Sequence, residues 1–341
     1  MTLLGAVPTG GGPEARVGSE RAEAVLSRLQ LMVTRRLDGL LQGDYLGLLP
    51  GPGSEAGESR EYRPGDDVRR MDWPVTARTT VPHVRQTVAD RELETWLALD
   101  LSASLDFGTA RWLKRDLALA AAAAVTYLTA RGGNRVGAVV GTGDDGGPVS
   151  GGGPGGGALR CLPARSGRRA TEGLLRAIAG TQIRAGRADL GRLIDALNRP
   201  PRRRGVAVVI SDFLAPPAQW ARPVRKLAAR HDVLAIEVVD PRELELPDVG
   251  VLELIDPETG RVHEVQTADR RLRRRYAEAA SAQRAAIAAA LRAAGAAHLR
   301  LRTDSDWLLD IVRFVAAQRH ARNRGGGRAR PAAVRSGSGG S

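Results

Sequence analysis

Apolar residues recur along this chain in two rhythms. Short continuous runs bounded by polar residues fall at 95–102 (TWLALDLS), 135–140, 205–211 and 232–239, and each predicts a buried strand. Further strands are expected at Val251–Ile255 and 296–302. Between them the spacing is helical. Leu113, Leu117, Ala120, Ala121, Ala124 and Leu128 share one face of a predicted helix over 110–131. A helix is expected near 219–230. A long one over 267–293 has the seam Leu272, Tyr276, Ala280, Ile287 and Leu291. Thr303 and Asp306 form a capping-box pattern ahead of a final helix with Trp307, Leu308, Ile311, Val312 and Phe314 inward. Strands alternating with helices predict an α/β protein with a mostly parallel sheet covered on both faces.

The rest of the chain divides around that body. Residues 1–18 read as a flexible arm. Residues 19–94 read as a helix opened by Ser19, then a small β-rich element with extended candidates at 60–63 and 83–88. The α/β domain occupies 95–320, and 321–341 is an Arg/Gly-rich tail expected to be disordered. The Gly-rich stretch 151–157 reads as a flexible hairpin or loop. The longest uncharged run, 117–130, is short of the roughly 20 apolar residues that a membrane helix needs. No export signal is visible at the start, so a cytoplasmic protein is expected.

Composition changes this picture little. The chain has 341 residues, 43% of them hydrophobic, which excludes a wholly disordered chain. Cys161 has no partner in the chain, which excludes a disulfide-built fold. The net charge of +13 looks informative, but 49 of the 51 basic residues are arginine, a bias of composition. Five of them (Arg322, Arg324, Arg328, Arg330 and Arg335) lie in the tail, which has no acid. A nucleic-acid partner is permitted, through Arg270–Arg275 and the tail, but not favoured, because basic patches act by clustering.

Two strand ends carry the candidate chemistry. Asp100, Ser102 and Ser104 directly follow the first strand of the body, and Ser211-Asp212-Phe213 follow another. Ligands of open parallel sheets bind beyond the C-terminal ends of strands. These side chains either cap the following helices or present hard oxygens to a cation. Their joint placement favours a ligand site. A few oxygens with open positions suit Mg²⁺, which retains waters.

Upstream lies Arg60-Glu61-Tyr62-Arg63-Pro64-Gly65-Asp66-Asp67-Val68-Arg69-Arg70-Met71-Asp72-Trp73, followed by Ala77-Arg78, with Phe107-Gly108 and Lys114 further on. This string resembles the bacterial domain-of-unknown-function 58 family, and Asp-x-Ser-x-Ser resembles the metal-ion-dependent adhesion site of von Willebrand factor A-like domains. The resemblance implies a von Willebrand factor A-like α/β fold, often encoded beside a MoxR-type AAA+ ATPase. It implies that Asp100, Ser102, Ser104 and Asp212 surround a divalent cation. The second metal loop departs from the pattern: it reads Gly186-Arg187-Ala188-Asp189-Leu190, where Ala188 replaces the usual Thr and offers no oxygen. In the upstream block, Arg63, Asp66, Asp67, Arg69, Asp72, Trp73 and Arg78 form either a recognition surface or, as the interleaved charges favour, an ion-pair network.

The leading expectation is a non-enzymatic protein-interaction module with a degenerate metal site, acting with a MoxR-type ATPase. A metal-assisted hydrolase using the same carboxylates is the alternative, and nucleic-acid binding is a third. Gly141–Gly146 matches G-x-G-x-x-G, but no helix follows, and no P-loop motif exists. The five histidines lack ligand spacing.

Overall fold

The computed structural model describes residues 59–62, 71–85, 94–130, 133–143, 159–183, 186, 188–198, 205–255 and 261–325. The expected helix after Ser19, the Gly-rich stretch 151–157 and the tail beyond 325 lie outside these residues. In chain order the strands are β1 (Ser59–Glu61), β2 (His83–Arg85), β3 (Glu94–Leu101), β4 (Arg135–Thr142), β5 (Leu159–Arg165), β6 (Val206–Ser211), β7 (Asp232–Val239), β8 (Val251–Ile255), β9 (Val262–Gln266) and β10 (Ala297–Arg302). The helices are α1 (Trp73–Thr79), α2 (Lys114–Ala130), α3 (Arg168–Ala179), α4 (Leu190–Asn198), α5 (Pro217–Ala228), α6 (Arg270–Ala293) and α7 (Trp307–Gly325).

Six strands form the main sheet in the order β10-β7-β6-β3-β4-β5. All pair in parallel except β5, which runs antiparallel to β4 at the edge. The fold class is therefore mostly parallel α/β, as the apolar runs predict. Side chains alternate across the sheet. Leu97, Leu99 and Leu101 of β3 enter one buried cluster, with α2 and with Trp307, Leu308 and Ile311 of α7. Trp96 and Ala98 enter the opposite cluster, with Leu193 and Ile194 of α4, Trp220 and Val224 of α5, and Ile287 of α6. Helices thus cover both faces. Gly137 stands opposite Trp96 in the β3–β4 register. A Cβ there would come within 2.7 Å of the indole ring, so glycine is what lets the Trp lie across β4.

Several details depart from the sequence pattern. Strand β5 was expected only as an unbounded candidate beyond the Gly-rich stretch, and helix α3 was not expected. Strand β8 pairs with β9 in a separate antiparallel hairpin instead of joining the main sheet. Thr303 does not cap α7. Asp306 does, with Oδ1 accepting from Leu309 N at 3.3 Å, while the Thr303 hydroxyl turns inward to Asp240. Helix α7 runs to Gly325, into the stretch expected as tail, where alanine and arginine are good helix formers. In the small upstream element β1 and β2 pair antiparallel, and α1 lies between them in sequence. No described helix is long and apolar enough to cross a membrane.

Candidate functional site

The β3–β6 register sets Leu99 against Ile210, so Asp100 and Ser211 leave the sheet side by side. Ser211 Oγ donates to Asp100 Oδ2 at 2.8 Å. The other oxygen, Oδ1, accepts from Ser102 N at 3.0 Å. Ser102 Oγ and Ser104 Oγ lie 3.0 Å apart. Ser104 stands beside Asp212, whose Oδ1 accepts from Leu214 N at 3.2 Å. The structure therefore brings together all four residues expected around a cation, and all four are buried.

The two aspartates sit in opposite electrostatic states. Burial, and then the Asp212 charge, push Asp100 up to about 6, against hydrogen bonds from Ser211 and Ser102. Burial alone would raise Asp212 as well. The charge and hydrogen bond of Lys114 overcome that and hold Asp212 below the usual carboxylate range. Lys114 Nζ lies 2.8 Å from Asp212 Oδ2 and 2.5 Å from Glu243 Oε1. Burial would lower the ammonium, but the Asp212 and Glu243 charges raise it.

A buried ionic network extends from there. Arg284 of α6 donates through Nη1 to Asp212 O at 2.9 Å and to Glu237 Oε1 at 3.0 Å, and through Nη2 to Glu243 Oε2 at 3.2 Å. Glu237 Oε2 meets Arg300 Nε and His298 Nε2, each at 2.8 Å. Burial alone would raise Glu237; the His298 hydrogen bond, the Arg284 charge and Arg300 bring it below its ordinary value. Beside the network, Asp240 collects four donors: Thr109 N and Thr303 Oγ1 on Oδ2, Thr109 Oγ1 and Arg242 N on Oδ1. It ties together the segments that follow β3, β7 and β10.

Other expected residues stay apart from this cluster. Ala188 contributes no oxygen, and Asp189 does not replace the missing Thr, because its Oδ1 accepts from Arg192 N at 2.9 Å in the first turn of α4. Of the upstream block, Arg63, Asp66, Asp67 and Arg69 lie outside the described residues. Asp72 caps α1, accepting from Val75 N at 3.4 Å. Arg78 Nε donates to Pro74 O at 3.3 Å, and Trp73 is 68% exposed. On α6, Arg273 turns back onto Thr267 O and Asp248, and Arg274 meets Glu278, which leaves a broken basic stripe. Cys161 is exposed on β5.

Lys114, Glu243, Arg284 and Glu237 are the functional candidates that motif reading did not assign to the site. One signal did mark Lys114: it is one of two lysines in a chain that otherwise uses arginine.

The donor chemistry fits a hard cation in part. Among the described residues no three His, Cys, Asp or Glu side chains converge as a metal cluster. The available set is one carboxylate, Asp100, with two hydroxyls, Ser102 and Ser104. Such a set leaves positions for water, as Mg²⁺ prefers. None of the hydrogen-bond partners of Asp100 among the described residues is a cation. A divalent ion would supply the missing charge.

A mostly parallel α/β sheet with helices on both faces and oxygen donors at two adjacent strand ends defines the class. The chain belongs to the family described as protein of unknown function DUF58, whose model matches residues 58–286. An uncharacterized protein of Mycobacterium tuberculosis (strain ATCC 25618 / H37Rv) is 58% identical over 305 residues, which are 89% of this chain and 92% of that one. An uncharacterized protein of Mycobacterium avium is 56% identical over 160 residues, 46% of this chain and 94% of its own. Among solved structures, the conserved hypothetical protein BatB from Bacteroides thetaiotaomicron overlaps at a TM-score of 0.40 with 16% identity, covering 67% of this chain and 99% of that one. A von Willebrand factor type A structure from Catenulispora acidiphila overlaps at 0.30 with 16% identity, covering 47% of this chain and 35% of that one. At such TM-scores the fold class stands on the strand order itself.

Proposed function

We propose that this chain is a non-enzymatic protein-interaction module whose strand-end site holds a divalent cation, Mg²⁺ in the first instance. Asp100, Ser102 and Ser104 would hold the ion, with Asp212 behind Ser104. The bound ion would supply a Lewis-acid position able to accept an acidic side chain from a partner. A MoxR-type AAA+ ATPase is the proposed partner, on the strength of the family resemblance, and the cytoplasm is the proposed compartment. The observation that carries the reading is Asp100: a buried carboxylate whose described partners are all neutral, beside two hydroxyls that bond each other. Burying an ionised carboxylate without a cation is costly, so the site favours one.

A hydrolase needs a base free to take a proton. Asp212 and Glu243 are held by Lys114, Glu237 by Arg284 and Arg300, and Asp240 by four donors. Asp100 is the carboxylate left without a cation, and in the cation reading the ion would occupy it, so that arrangement supports binding over turnover. Calorimetric titration of Mg²⁺ into the full chain and into Asp100→Asn tests the cation. Saturable binding lost in the variant is expected; no heat and no thermal shift in the wild type, alone or with the ATPase, would sink the metal part. Capture of a MoxR-type ATPase that survives EDTA unchanged would detach the partner from the ion.

A further inference from the structure

The site already contains a cation. Lys114 is completely buried, and its ammonium lies between Asp212 Oδ2 and Glu243 Oε1. Its backbone is fixed as well. Lys114 N donates to Phe107 O at 2.7 Å, so the segment that follows Ser104 and the ammonium are positioned together. Glu243 is anchored from the far side by Arg284 and by its own acceptance from Asp240 N at 3.1 Å. The anchored Glu243 therefore holds the ammonium beside Asp212.

Residue type argues in the same direction. This chain writes arginine at 49 of its 51 basic positions, yet lysine stands here. A compact point charge fits between two carboxylates in a closed space, where a planar guanidinium with five donors would need more acceptors. An incoming divalent ion meets Asp212 with its charge already compensated, and it meets a fixed positive charge beyond it.

We infer that Lys114 is the resident cation of this site, keeping Asp212 from serving as a metal ligand and setting how weakly Asp100, Ser102 and Ser104 hold a divalent ion. The inference rests on the cation reading above, and its test separates the two. It makes Lys114 a specificity-determining residue, because the balance between ammonium and metal decides whether Asp212 joins the coordination.

The test is calorimetric titration of Mg²⁺ and Mn²⁺ into four full-length proteins: wild type, Asp212→Asn, Lys114→Met/Glu243→Met, and the triple variant with all three changes. The double variant removes one positive and one negative charge together, which preserves net charge, and circular dichroism checks its fold. Expected is divalent affinity in the double variant at least about fivefold tighter than wild type, the lower end of typical couplings between sites. Adding Asp212→Asn to it erases that gain, while Asp212→Asn alone changes wild-type affinity little. A purely structural lysine would not tighten binding when removed.

If wild type binds and the double variant binds no tighter, the cation reading stands and Lys114 is not its regulator. If wild type is silent and the double variant binds through Asp212, Lys114 is the resident cation and the native chain is not a metal site. Should the double variant fail to fold, Asp212→Asn in a metal-binding wild type decides: retained binding supports the inference, and abolished binding overturns it.

Discussion

Ser211 Oγ donates to Asp100 Oδ2 at 2.8 Å, joining the end of β6 to the end of β3. The same hydroxyl oxygen accepts from Phe213 N at 3.0 Å. Phe213 has φ of 54°, a left-handed conformation that a bulky residue adopts only when its surroundings compel it. Here Ser211 holds its N–H, and its ring packs edge-to-face on Trp220 at 5.2 Å. One serine thus fixes both the Asp100 carboxylate and the turn after Asp212. Replacing it leaves a backbone donor and a carboxylate oxygen without a buried partner. Ser211→Ala is expected to lose about 2–6 kcal/mol of stability in urea unfolding, since each of the two unmet buried groups costs roughly 1–3 kcal/mol. Unchanged stability would mean that the strand ends are held by packing alone.

Asp100 gives a pH dependence of unusual sign. Its folded value, about 6, lies above the ordinary carboxylate value, so between roughly pH 4 and pH 6 the folded state binds more protons than the unfolded state. Stability from this group is present below that window and is lost as pH rises through it. Asp100→Asn keeps the Ser102 N–H bond through its carbonyl, and its amide can donate to the Ser211 oxygen. The metal-free variant is therefore expected to be more stable than metal-free wild type at pH 7.5, by roughly 1–3 kcal/mol. The gain should vanish near pH 4. Thermal melts in EDTA at the two pH values check this; equal melting at pH 7.5 would show that the buried charge is compensated.

The strand runs were legible because a strand covered on both faces must be apolar almost throughout. Asp100, Ser102, Ser104 and Asp212 were legible for the same reason, as polar residues where such runs stop. The ionic network was not. Lys114 is 98 residues from Asp212 and 129 from Glu243, and only the sheet order brings them together. Helix α3 was missed although Leu174, Leu175 and Ile178 stand at helical spacing. Val251–Ile255 was recognisable as a strand, and the Asp256-Pro257 and Gly260 that follow it were a local turn signal for its pairing with β9 that went unread. Thr303 shows a further limit: a good capping residue on paper, it is drawn inward by the Asp240 carboxylate.

Glu237 should respond to pH in the usual direction. Its folded value is depressed, so its contribution is present above its unfolded value, near pH 4.5, and is lost as pH falls below it. Glu237→Gln removes the anion that Arg284, Arg300 and His298 share, leaving a buried guanidinium short of charge. Breaking a buried pair in this way costs about 3–5 kcal/mol. Urea unfolding from pH 7 to pH 3 should show both the loss at neutral pH and a shallower decline in acid. A variant that declines as steeply as wild type would move that acid sensitivity to other carboxylates.

Asp240 tests the same substitution with the opposite outcome. Each of its two oxygens accepts one backbone N–H and one hydroxyl: Thr109 N with Thr303 Oγ1, and Arg242 N with Thr109 Oγ1. In Asp240→Asn, either orientation of the amide turns its NH₂ toward one of these pairs. A hydroxyl can rotate and accept, but a backbone N–H cannot. One buried donor is therefore left facing another donor, whichever way the amide lies. The expected loss is about 1–3 kcal/mol, the cost of an unsatisfied buried group. Hydrogen exchange should localise the loosening to Thr109 or to Arg242, and not to β3. Asp100→Asn stabilises the metal-free protein and Asp240→Asn destabilises it, because one carboxylate accepts a single backbone N–H and the other accepts two. Equal effects from the two substitutions would contradict that geometry.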